Sequence, residues 1–104
     1  MKIGNDIIKN IIPMQMHFNK IIQFSRQLKA GNRQREFNFK KLKNTDDEQF
    51  TVNVSDERGD RIVFSMKKEE DKWHISPAQL LPTWILQSEV KLHEVIEEEL
   101  AQTN

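Results

Sequence analysis

Cysteine is absent from this 104-residue chain, which excludes a disulfide framework and any thiolate chemistry. Glycine is scarce, with three isolated residues, so no Gly-rich loop is present to cradle a phosphate. Nor does a G-x-S-x-G elbow present a nucleophilic serine. Apolar stretches are short and broken by Lys, Asn and Gln, so none approaches a membrane span. The opening Met1-Lys2-Ile3-Gly4-Asn5-Asp6 lacks the apolar region of a secretory signal. A cytoplasmic protein with no membrane partner is the resulting expectation. No residue set reads as catalytic, cofactor-binding or metal-ligating, which leans the reading away from an enzyme without deciding it.

What the chain does contain is apolar material for one core. Ile, Leu, Val and Phe total 29 residues, enough for a single packed domain over residues 1–104. Charge is strongly divided. The first 43 residues carry ten Lys and Arg against two acids, and the remaining 61 carry six against fourteen. The halves, at +8 and −8, cancel to a formal net charge of zero. Such a division marks either a polyanion-binding surface or two parts of one domain that attract each other.

The spacing of Ile7, Ile11, Met14, Phe18, Ile21, Ser25 and Leu28 predicts a long N-terminal helix, capped by Asn5 and stopped at Gly31. Pro13 is expected to kink it. Ile8, Ile12, Ile22 and Phe24 widen the apolar stripe beyond what one sheet covers, which predicts a second covering surface. From residue 37 the period changes to two. Phe37 and Phe39, then Phe50, Val52 and Val54, then Ile62, Phe64 and Met66 read as strands with one buried face. Trp73-His74-Ile75 adds a short fourth strand after the polar turn Glu69-Glu70-Asp71-Lys72. Asp56 to Asp60 reads as a hairpin loop with Gly59 at positive φ. A last helix is expected from Pro82 or Thr83 to about Leu100, burying Trp84, Ile85, Leu92, Val95, Ile96 and Leu100. The predicted class is therefore α+β in two layers: a long kinked helix, an antiparallel meander of three to four strands, and a C-terminal helix. The outer sheet face, rich in Thr, Asn, Ser and Lys, is expected to stay wet or to support dimerisation through its edge.

That element order is also the order of the double-stranded RNA-binding domain. The segment Leu80-Leu81-Pro82-Thr83-Trp84-Ile85 stands where that family's second helix opens with a glycine-containing, lysine-rich phosphate grip, and the helix ends in Glu97-Glu98-Glu99, so its activity is not carried over. The hairpin Phe64 to Ile75, with its charged turn and Trp-containing strand, resembles the closing hairpin of cystatin-like and nuclear-transport-factor-2-like domains. That likeness implies a small-ligand pocket between helix and sheet. A long helix after the hairpin departs from the usual order, and no family is assigned.

Three functional readings follow. The leading one is a non-enzymatic interaction module, a homo-oligomer or the binder of a protein partner, using Met14, Met16, Phe18 and Phe24 with Leu86 and Val90. The second is nucleic-acid binding through the basic stretch 26–43, by Arg33, Arg35, Lys40, Lys41 and Lys43 around Phe37 and Phe39. The third is the small-ligand pocket. Glu89, His93 and Glu97 form a row at i, i+4 and i+8, but one helix spreads them over about 12 Å, too far for one ion. Surface pairing is the expected use of that row.

Overall fold

Alternation of period two begins earlier in the chain than the helical reading allows. The computed structural model describes residues 21–42, 48–76 and 80–102. Their elements are β1 (Ile21–Ala30), β2 (Arg33–Leu42), β3 (Gln49–Ser55), β4 (Arg61–Glu69), β5 (Lys72–Ser76), α1 (Thr83–Leu86) and α2 (Glu89–Gln102). The strands form one antiparallel sheet in the order β1-β2-β3-β4-β5, and the helices follow it.

The expected long N-terminal helix is thus corrected over Ile21–Leu28, which belong to β1. Its earlier part, with the kink at Pro13, lies outside the described residues. The sheet has five strands in place of the expected three or four. Both periods fit the segment from Ile21. The helical stripe uses Ile21, Ser25 and Leu28, whereas the strand face uses Ile22, Phe24, Arg26, Leu28 and Ala30. The strand prevails because it buries Ala30 and half-buries the other four, leaving Ser25 in water. The turn reinforces the choice. Gly31 and Asn32 both have positive φ, 64° and 70°, the pattern of a two-residue hairpin turn whose twist suits antiparallel strands. Ala30 then pairs with Arg33 and the ladder runs back to Ile21↔Leu42. Gly31 therefore opens a hairpin instead of stopping a helix. Glu70 and Asp71 repeat the same geometry, at 54° and 69°, between β4 and β5.

The inner face holds Phe37, Phe39, Phe50, Val52, Val54, Phe64, Met66, Trp73 and Ile75, all buried, with Ile62 half-buried beside them. Each fully buried large side chain contributes roughly 1.5–3 kcal/mol relative to exposure. Four rings cross the sheet in a chain. Phe24 stacks on Phe39 with centroids 4.6 Å apart, Phe24 meets Phe50 edge-on at 5.9 Å, and Phe50 meets Trp73 at 5.2 Å. Phe24 and Phe50 sit two strands apart, as do Phe50 and Trp73. Two strand spacings amount to about 9.5 Å, so these rings lean toward one another over the strand between them.

Helix α2 packs on that inner face with Leu92, Val95 and Ile96 buried. The single C-terminal helix expected from the sequence is split. Ser88 Oγ donates to Trp84 O at 2.7 Å and Ser88 N to Ile85 O at 2.9 Å. This i−4 back-bond and the tightened i−3 bond end α1, after which α2 begins at Glu89. Among the described residues no helix is long and apolar enough to cross a membrane.

The Gly31 turn sits against Trp84. A Cβ at Gly31 would lie 2.9 Å from Trp84 Cβ, while one at Gly59, φ 85°, would meet nothing within 4 Å. Gly31→Ala should therefore lower unfolding stability by about 2–3 kcal/mol, combining left-handed strain with a clash, and Gly59→Ala by only about 1 kcal/mol. Urea unfolding followed by Trp fluorescence measures both.

Candidate functional site

The surfaces that carry chemistry in this fold are the two edges of the sheet and a split within it. At β5 the edge is closed. Glu69↔Lys72 closes the two-residue turn, so Lys72, His74 and Ser76 bond to β4, while Trp73 and Ile75 point their main-chain groups outward. Both outward N–H groups have acceptors on α2. Ile75 N donates to Glu89 Oε2 at 2.8 Å and Trp73 N to His93 Nδ1 at 3.1 Å. The indole Nε1 of Trp73 donates to Glu97 Oε2 at 3.0 Å. The row Glu89, His93 and Glu97 therefore does more than pair at the surface: each member accepts a hydrogen bond from β5. Among the described residues no group of three His, Cys, Asp or Glu could hold an ion. The fit is geometric. Four residues of helix advance about 6 Å and two residues of strand about 6.7 Å, so i, i+4 acceptors match alternate donors of an antiparallel strand.

Among the described residues the other edge is open. With Ala30↔Arg33 as the closing pair of its turn, β1 turns the main chain of Ile21, Gln23, Ser25, Gln27 and Lys29 away from β2. Lys29 O accepts from Lys91 Nζ at 3.2 Å. Among the described residues no strand lies alongside β1 on that side. Ile22, Phe24 and Leu28 on its inner face remain half-buried, and Ile21 is 50% exposed. Arg26 reaches from this strand to α2, 2.7 Å from Glu98 and 3.5 Å from Glu99. The Glu98 hydrogen bond raises the Arg26 pKa above its ordinary value, against the effect of burial.

The split lies between β2 and β3, which pair only over Asn38–Lys40 and Thr51–Asn53. Beyond Asn38 the strands part and leave a cleft of about 240 Å³, lined by Arg33, Gln34, Glu36, Asn38, Ser55 and Arg61 among others. Arg35 fills its inner side. It is 6% exposed, donates from Nε to Ala30 O at 2.8 Å and from Nη2 to Glu57 Oε2 at 2.6 Å, and lays its guanidinium 3.7 Å from the Trp84 ring centroid. A planar fork that bonds along two edges and stacks on its face suits this position as lysine would not. A smaller groove of about 100 Å³ runs between β5 and α2 beside Trp73, His74, Val90 and His93.

These placements bear on every residue singled out from the sequence. Met14, Met16, Phe18 and Lys43 lie outside the described residues. Phe24 is on β1, while Leu86 and Val90 are exposed on the helices, Val90 at 66% and beside β5. Phe24 and Val90 therefore do not share a surface. Of the basic set, Arg33 and Lys40 are exposed, Lys41 is half-buried and Arg35 is buried in the pairing above. Phe37 and Phe39 are fully buried and offer no stacking platform. The β1 edge was missed because its alternation was read as helical; Gly31-Asn32 followed by Arg-Gln-Arg-Glu-Phe was the available hairpin signal.

Glu57 supplies a pH signature. Its hydrogen bond from Arg35 holds its carboxyl below the usual carboxylate range. A depressed folded-state pKa contributes stability that is present above the unfolded carboxylate value and lost as pH falls through the folded one. Wild type should therefore lose more thermal stability than Glu57→Gln between neutral pH and the acid side of the carboxylate range. A second outcome concerns the closed edge. His93→Ala removes the acceptor of Trp73 N–H and should cost about 1–3 kcal/mol, with faster hydrogen exchange at the Trp73 amide than at the β3 amides.

No protein-family model, no curated protein and no solved structure matches this chain.

Proposed function

We propose that the protein is a non-enzymatic interaction module that receives an extended protein strand along β1. The observation that supports this reading is the contrast between the edges. One is closed by side chains placed at the strand's own repeat, and the other runs regularly from Ile21 to Ala30 without proline or bulge. An edge of that length offers a row of main-chain donors and acceptors, and strand addition draws its affinity from them. The half-buried Ile22, Phe24 and Leu28 provide alternate side-chain contacts for the added strand.

Nucleic-acid binding through the basic stretch is the weaker reading. Arg26 and Arg35 are engaged with Glu98, Glu99 and Glu57, leaving Lys29, Arg33 and Lys40 as its exposed cations among the described residues. Small-ligand binding has the β2–β3 cleft in its favour, but that volume falls below the roughly 300–1,000 Å³ of typical ligand pockets.

Strand reception is tested by hydrogen exchange with a soluble, Lys-flanked peptide of alternating Val and Thr, at protein concentrations too low for self-association. Added peptide should slow the amides of Gln23, Ser25 and Gln27 and leave Trp73 and Ile75 unchanged. Gln27→Pro, which deletes one outward donor while keeping an edge position that tolerates proline, should weaken the protection. Unchanged exchange at saturating peptide overturns the reading.

A further inference from the structure

Resting on that reading, we infer that the strand β1 receives is β1 of a second copy, paired antiparallel about a two-fold axis at Ser25. A symmetric pair must be self-complementary, because each contact occurs twice. The outward main-chain groups belong to odd-numbered residues, fixed by the register with β2. A symmetric ladder can centre on an odd residue, across a bonded pair, or on an even one, across a non-bonded pair. Centred on Ser25, it pairs every residue from Ile21 to Lys29 and forms about ten main-chain hydrogen bonds.

The side chains fit that register. On the inner face Ile22 stands opposite the copy's Leu28, and Phe24 opposite its Arg26. These pairings join apolar to apolar and a ring to a guanidinium. On the outer face Gln23 meets Gln27, Ser25 meets itself, and Ile21 meets Lys29. No like charges are opposed. A two-fold at Arg26 would instead set two guanidiniums against each other across a non-bonded pair. Shifting the axis to Gln23 or Gln27 shortens the ladder and leaves Leu28 or Ile22 without its apolar counterpart. The half-buried flank of Ile22, Phe24 and Leu28 lies where the second strand would cover it, and among the described residues no strand stands between α2 and the β1 edge.

Light scattering of the full chain at tens of micromolar should give twice the 12.4 kDa chain mass. Gln27→Pro should return it to the chain mass with unchanged circular dichroism. Register is read by oxidation. Ser25→Cys should form a disulfide-linked dimer, since directly opposed residues lie about 5.5 Å apart, within disulfide reach. Gln23→Cys, opposed to Gln27, should not. A wild-type mass of one chain, or a dimer that survives Gln27→Pro, overturns the inference. If the chain is monomeric while the Val/Thr peptide still protects the β1 amides, strand reception stands and only the second copy is wrong. If both fail, the reading beneath it fails too.

Discussion

The position of α2 on the inner face of the sheet decides which edges of the described fold are satisfied and which are not. Its buried stripe of Leu92, Val95 and Ile96 seats it against the aromatic chain. Once seated, its two flanks face opposite edges. One flank carries acceptors that take up the free donors of β5. The other carries Lys91 and Glu98, whose long side chains span to β1 without pairing its ladder. Buried apolar area fixes the helix, and the polar row then acts at a distance the core has already set. Loss of the row would leave edge donors dependent on water, whereas loss of the stripe would unseat the helix itself.

The charge division of the chain resolves in part within the fold. Arg26 meets the acidic end of α2, and Arg35 meets Glu57 across the parted strands. Two of the cations in the basic stretch are thus neutralised by acids from the second half of the chain. The partly exposed Arg26 pair adds little to stability, as surface pairs do. Arg35 differs because its guanidinium is buried: it ties the first turn, the β3–β4 loop and Trp84 into one cluster. A buried charge of this kind is costly to leave unpaired, so the cluster holds those three segments in one arrangement.

Four of the five strands were legible because their alternation has no rival. Phe37/Phe39, Phe50/Val52/Val54, Ile62/Phe64/Met66 and Trp73/Ile75 place large residues at every second position, and no helical stripe links them. The first strand was not legible for the opposite reason. Ile21, Ser25 and Leu28 continue an i, i+4, i+7 series from earlier residues, and period analysis cannot choose between two patterns that share Leu28. The weak member was Ser25, a polar residue on a supposed core stripe. Ser88 shows a different limit: neither glycine nor proline marks the end of α1, and the break comes from one hydroxyl turning back to Trp84 O. The candidate edge could not be seen at all from composition, because an unpaired strand is defined by what is not beside it.

Because every strand pairs with its neighbour in sequence, the sheet can assemble by successive hairpins, with little loop-closure entropy to overcome at each step. The helix that seals β5 comes after all of them in the chain. A chain without that helix therefore leaves the outward donors of β5 bare. Released chains that end before Glu89 thus carry the sheet without its guard and are prone to aggregate through that margin.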